Sequence, residues 1–329
     1  MKRVLYAIQG TGNGHVSRAL VVVPILKRHF DVDILISGRQ SNLHLPFEVH
    51  YKYTGVSFVY DKSGGLSYSK TLFHNNLAKA YKELKSLPVN QYDLVISDFE
   101  PISAYSAYLK NVPSLAFSHQ ASFLSNKVPR PKKKNKIGEL VLHRYAPCRH
   151  NLGIHFQRYE PWIIPPVLRP EILNATPTES DEYLVYLPAY GDSQLVNTLK
   201  KIDEKFTVFS KFASFSYKNN NVNIIPADAI EFTKRLISCK GVITGAGFET
   251  PAEALYLGKK LLCIPIKGQY EQYCNAAALS DLGVIIADRL SVSILKYWIS
   301  TSSQNSYVLK SELKQLPSRI PELINQFIS

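Results

Sequence analysis

The chain has 329 residues, 45% of them hydrophobic, 20% charged and 11% aromatic. That composition excludes a disordered or low-complexity polypeptide, and the length suits about two domains, each large enough to bury a core. Four cysteines (Cys148, Cys239, Cys263, Cys274) without a CxxC spacing argue against a disulfide scaffold or a cysteine zinc site. The longest apolar stretch, residues 19–26, falls far short of the roughly 20 residues that span a bilayer. The first residues are too poor in apolar side chains for a signal peptide, so a soluble, cytoplasmic protein is expected.

Charge is unevenly spread. Of 39 basic and 26 acidic residues, the first 165 positions hold 22 and 10, the remainder 17 and 16. All nine histidines lie at or before His155. The first half is therefore strongly basic and suits an anionic partner; the second is nearly neutral.

Residues 3–8 are predicted as a strand running into Gly10-Thr11-Gly12-Asn13-Gly14-His15, and residues 15–30 as the following helix, kinked or cut short at Pro24. Glycines admit a ligand close to the backbone, and a helix start offers free N–H groups. A dinucleotide fingerprint needs GxGxxG and an acid after the second strand. This loop is GxGxG, and the second strand, residues 33–37, runs into Gly38-Arg39. His15 at a helix N-terminus is either a capping histidine or a base kept neutral by the helix dipole.

Further strands are predicted at residues 49–53, 94–97, 114–118 and 151–156, with a helix over 68–87. Asp98 and His119 each follow a buried strand. Asp98 reads equally as the cap of the next helix or as the carboxylate that orients His15. His119 reads as an acceptor contact or as a satisfied strand-end histidine. Lys127, Arg130, Lys132, Lys133, Lys134 and Lys136 put six basic residues in ten, expected as an exposed mobile loop, either solvated or set against anionic lipid. Aromatic residues are not interleaved there, which argues against nucleic acid.

Four prolines within residues 161–170 predict a stiff connector. Strands then resume at residues 183–187, 206–210, 222–225, 241–244, 260–264 and 284–286. The expected fold is α/β, two doubly wound Rossmann-like domains facing across a cleft, with ligands at the carboxyl ends of the strands. In the second half, Thr244-Gly245-Ala246-Gly247-Phe248-Glu249-Thr250-Pro251-Ala252-Glu253 is a strand end, a glycine turn and a helix start, suited to a diphosphate at the turn. Glu253, about a turn further on, is placed for ribose hydroxyls. Gln269-Tyr270-Glu271-Gln272-Tyr273-Cys274-Asn275 offers acid and amide groups suited to a sugar.

These segments resemble the nucleotide-sugar glycosyltransferases of the GT-B fold, families 1 and 28, which include the peptidoglycan lipid-intermediate N-acetylglucosaminyltransferase. The resemblance rests on Gly247-Phe248-Glu249-Thr250-Pro251-Ala252-Glu253 closed by Gly258, on Glu271-Gln272-Tyr273-Cys274-Asn275, and on the glycine loop ending in His15. Ser118-His119-Gln120 is similar to the acceptor-side His-Glu-Gln of family 28 with the acid missing.

By that resemblance, residues 1–160 bind the acceptor through Gly12, Asn13, Gly14, Arg18 and His119. Residues 161–170 are a hinge, 171–310 bind the nucleotide-sugar, and 311–329 form a helix crossing back to the first domain. Gly191, Ser193, Gly245, Gly247, Phe248 and Thr250 would surround the diphosphate, Glu253 the ribose, and Glu271 with Gln272 the sugar. The reaction the resemblance implies is an inverting transfer from a nucleotide-sugar, with UDP as the expected nucleotide, needing no metal or other cofactor, with His15 as base and Asp98 as its orienter. The expected acceptor is a glycan or lipid-linked sugar, as in cell-envelope or polysaccharide synthesis, reached either in the cytoplasm or from a peripheral position on the membrane's inner face. The alternatives are a UDP-N-acetylhexosamine epimerase on the same fold and a non-catalytic sugar-nucleotide-binding protein.

Overall fold

The computed structural model describes residues 1–11, 13–38, 45–56, 75–302 and 310–328. Gly12 and the first part of the helix predicted over 68–87 lie outside the described residues.

The first sheet contains β1 (Arg3–Gln9), β2 (Asp31–Ser37), β3 (Tyr51–Tyr53), β4 (Leu94–Asp98), β5 (Ser114–Ser118), β6 (His150–Ile154) and β7 (Ile163–Ile164), in the order β3-β2-β1-β4-β5-β6-β7. Every pairing in it is parallel. Alternate residues of β1 serve opposite faces: Val4, Tyr6 and Ile8 pack with Val16, Ala19 and Val22, while Leu5 and Ala7 pack with Leu35 and Val95. A strand buried on both faces reads as a continuous apolar run, which is how the sequence presents it.

The second sheet contains β8 (Glu182–Tyr186), β9 (Lys205–Ser210), β10 (Tyr217–Asn219), β11 (Val222–Pro226), β12 (Gly241–Thr244), β13 (Lys260–Cys263) and β14 (Ile285–Ile286), in the order β10-β11-β9-β8-β12-β13-β14. Only β10 is antiparallel, turned back by Asn220 at φ 52°. From β11 to β14 this repeats the order of the first sheet from β3 to β6, so the same doubly wound plan is used twice.

Helix α1 (Asn13–Leu26) ends two residues after Pro24, which removes one of its N–H donors. Helix α2 (Leu77–Ser86) is capped by the Asn76 side chain, and α3 (Pro101–Leu109) follows β4. Helix α4 (Lys136–Arg144) follows the basic run. The proline segment is less free than a connector. Ile163 and Ile164 add a strand to the first sheet, Val167 and Leu168 are buried, and α5 (Pro170–Leu173) begins at once. In the second half come α6 (Asp192–Leu199), α7 (Ala229–Ser238), α8 (Glu249–Tyr256), α9 (Tyr270–Asp281) and α10 (Val292–Ser300). The last helix, α11 (Lys310–Asn325), packs against α1. Its Glu312 pairs with Arg158 at 2.8 Å, and the Phe327 ring lies 5.2 Å from His150.

Candidate active site

The carboxyl ends of the two sheets face each other, and the site assembles there. In the first unit, β1 delivers the chain to α1, whose first turns carry His15 and, three residues on, Arg18 on the same side of the helix. β4 delivers Asp98. The sequence leaves Asp98 as either cap or partner, and the structure separates the roles two residues apart. Glu100 is the cap, accepting from the Ile102 and Ser103 N–H groups at 2.8 and 2.6 Å, with Ser37 donating to it at 2.6 Å. Phe99 between them adopts left-handed backbone, φ 56°, uncommon for an aromatic residue. Asp98, fully buried, turns to α1 instead: its Oδ1 lies 2.8 Å from His15 Nδ1 and accepts from Arg18 Nη1 at 2.8 Å. The Phe99 ring stacks on the His15 ring, 6.3 Å between centroids and 11° between planes.

Arg18 then reaches across the cleft. Its Nη2 donates to Glu249 Oε1, at the start of α8, at 2.7 Å. Burial works against the Arg18 charge, but Asp98 and Glu249 outweigh it and the guanidinium's pKa rises above its ordinary value. Burial likewise pushes the Glu249 carboxyl up, with Arg18 opposing. Arg18 is only 3% exposed, so in this closed arrangement it ties the two units together rather than facing an acceptor. His119 is also withdrawn: fully buried, it stacks on Phe248 with centroids 3.9 Å apart, and its Nε2 lies 2.7 Å from Asn275 Oδ1. Burial lowers the His119 pKa, with the Glu271 charge opposing. Asn13 is exposed, and a side chain added at Gly14 would touch Glu249.

In the second unit, Gly245, Ala246 and Gly247 turn the chain from β12 into α8. A side chain at Gly247 would meet open space, as would one at Gly191 beside the start of α6. Ser193 is exposed on that helix, and Thr250 is partly exposed in the first turn of α8. Two helix starts thus lie beside glycines with open space around them, an arrangement able to hold an anion with backbone N–H groups.

The remaining candidates are engaged. Glu253 is paired with Arg169 of the proline segment at 2.6 and 2.7 Å; burial raises its pKa and Arg169 opposes that rise. Gln272 Oε1 accepts from the Ile266 N–H at 2.9 Å, and its amide donates to Gln269 at 2.8 Å. Glu271 accepts from Gln120 across the cleft at 3.1 Å, and Tyr270 donates to Glu139 at 2.5 Å.

The basic run is better anchored than the expected mobile loop. Arg130 donates to Glu139 and to the Phe123 and Val128 carbonyls, and Lys127 pairs with Glu160 at 3.0 Å. Lys132, Lys133, Lys134 and Lys136 are exposed. Asp31-Val32-Asp33 has the DxD spacing often used for divalent ions. It lies at the opposite end of β2 from the cleft, where Asp33 holds Arg3 and Tyr92 at 2.9 and 2.7 Å. Sequence reasoning missed Glu249 as the partner of Arg18, and Arg169.

Comparison with known proteins agrees with this architecture. Two solved glycosyltransferases match across essentially the whole chain. SsfS6 of Streptomyces sp. SF2575, complexed with thymidine diphosphate, has a TM-score of 0.64 at 15% identity, covering 99% of this chain and 100% of that one. MurG of Acinetobacter baumannii has a TM-score of 0.58 at 15% identity, with the same coverage. The fold is therefore the two-domain GT-B fold of glycosyltransferases. The model described as glycosyl transferase family 1 matches residues 2–301, and the chain belongs to that family. Among curated proteins, the ecdysteroid UDP-glucosyltransferase of Autographa californica nuclear polyhedrosis virus is 26% identical over 235 residues, 65% of this chain. The match spans 42% of that relative's length.

Proposed function

We propose that the protein is an inverting glycosyltransferase that takes a sugar from a nucleotide-sugar, with UDP the favoured nucleotide, and moves it to an acceptor hydroxyl without a metal. The observation that carries this reading is the His15–Asp98 pair at 2.8 Å, set at the N-terminus of α1 and linked through Arg18 to the start of the facing helix α8. Asp98 at Nδ1 fixes the tautomer that leaves Nε2 able to accept a proton. His15 then removes the proton of the acceptor hydroxyl as that oxygen attacks the anomeric carbon, and the bond to the diphosphate oxygen breaks on the opposite face. The departing diphosphate gains charge beside the α8 N-terminus and the Gly245–Gly247 backbone, which stabilise it in a site screened from water. Rotation about the segment around Pro165 and Pro170 closes the cleft and limits hydrolysis of the donor.

The acceptor is proposed to be anionic or lipid-linked, because the excess of basic residues lies in the first half. On α4, Ile137 and Leu140 are 52% and 60% exposed, beside exposed Lys132, Lys133, Lys134 and Lys136. Basic side chains flanking an exposed apolar pair suit the surface of an anionic membrane, where each Lys adds about 1 kcal/mol. The testing experiment is calorimetric titration of UDP, dTDP, GDP and NAD onto the wild type and Glu253→Ala. UDP-selective binding that weakens in the variant is expected. Equal binding to both proteins, or no nucleotide binding, would sink the donor assignment.

A further inference from the structure

Arg169 sits between the buried Leu168 and Pro170, where the proline segment enters the second unit. Its Nε donates to Glu253 Oε1 at 2.6 Å and its Nη2 to Glu253 Oε2 at 2.7 Å, a side-on fork, while Nη1 donates to Thr233 Oγ1 at 2.8 Å. The Glu253 side chain is 7% exposed and that of Arg169 is 23% exposed, so little water reaches the pair. Glu253 lies about one turn beyond Thr250 on α8, below the glycine turn.

A fork of this kind uses both carboxylate oxygens along one edge. The neighbouring hydroxyls of a ribose are two donors at similar spacing, and they fit that same edge. Both cannot occupy it together.

We propose that Arg169 sets the nucleotide affinity of this site by competing with ribose for Glu253. Ribose entry lifts the guanidinium from the carboxylate, leaving it held at Thr233. Its return, once the sugar has left, displaces the spent nucleotide. A ligand with a single sugar hydroxyl replaces only one of the two bonds and gains less from displacing Arg169. Because Arg169 belongs to the segment joining the two sheets, filling the ribose position also removes one of that segment's ties to α8, leaving the bond from the Tyr256 hydroxyl to the Leu173 carbonyl. This inference rests on the donor site proposed above.

The test is calorimetric titration of UDP and 2′-deoxy-UDP onto the wild type, Arg169→Met, Arg169→Lys and Glu253→Gln. In Arg169→Met, UDP is expected to bind about tenfold more tightly, the scale of one charged hydrogen bond removed from competition. Binding of 2′-deoxy-UDP should change little, so the ratio between the two ligands widens. The thermal midpoint should fall, because Glu253 is left buried without its cation. Affinity rising while stability falls is not what a merely structural residue produces. Arg169→Lys keeps the charge but loses the fork, and should lie between wild type and Arg169→Met. Unchanged or weaker UDP binding in both Arg169 variants, with Glu253→Gln weakened, overturns the competition while leaving the donor site standing. Wild-type UDP binding in Glu253→Gln removes the donor site itself.

Discussion

The two sheets share one strand order, yet their carboxyl ends are furnished differently. At the first, buried side chains converge: His15, Asp98 and Arg18 form a chain of contacts of 2.8 Å, with Glu100 capping α3 beside them. At the second, the open positions are backbone: Gly191 and Gly247 face empty space at the starts of α6 and α8, while Glu253, Glu271 and Gln272 are already bonded. In the proposed reading, one end holds a proton-accepting side chain in a fixed orientation and the other holds an anion with N–H groups. Doubly wound architecture fixes where a site lies, and the loop chemistry fixes what it does.

That contrast is broken most directly at His15. Replacement by Ala should lower turnover by about 10²–10⁴-fold, the usual contribution of a general base, while nucleotide affinity stays near wild type. Steady-state kinetics beside UDP titration separates the two, and a parallel fall in affinity would mean that both ends share one function. A smaller effect is expected for Arg18→Met, read as stability. Removing the cation from the fully buried Asp98 carboxylate, and from the partly exposed Glu249 beside it, should cost about 3 kcal/mol in chemical denaturation. An unchanged midpoint would show that the contact across the cleft contributes nothing. The last effect, about 1 kcal/mol at each position, concerns the surface of the first unit. Changing Lys132, Lys133 and Lys134 together to Ser should weaken binding to vesicles containing phosphatidylglycerol by about 1 kcal/mol per residue, without altering binding to neutral vesicles. Equal binding by wild type and variant would argue for a solvated run.

Much of this was legible in the sequence because it is local. A strand, a glycine turn and a helix start are neighbours in the chain, so the loops at Gly10 and Gly245 could be placed without coordinates. So could the early end of α1 just after Pro24, because the proline's effect lies within its own helix. What resisted reading was long-range. Arg18 is three residues from His15, but its partner Glu249 lies 231 positions away. Arg169 looked like part of a connector, and Glu253 is 84 positions further on. Asp98 and Glu100 are both acids beside a helix start, and their roles are divided by the backbone turn at Phe99, for which the aromatic side chain gives no sign. His119 reads as an acceptor contact or a satisfied strand-end histidine, and the choice falls to the second only once the sheets meet and bury it against Ile154 and Asn275. β7 was missed since two residues among prolines carry no periodicity.

The packing of α11 against α1 has a mechanical consequence. The chain leaves the first sheet after β7 to enter the second, and it returns after α10 to finish beside the helix that carries His15. Two bodies joined at two places behave like a door on two pins. Sliding and twisting are resisted, and the easy motion is rotation about the line through both joints. In the proposed closure, such a rotation would bring the same atoms of α1 and α8 together each time, with alignment across the cleft inherited from the joints.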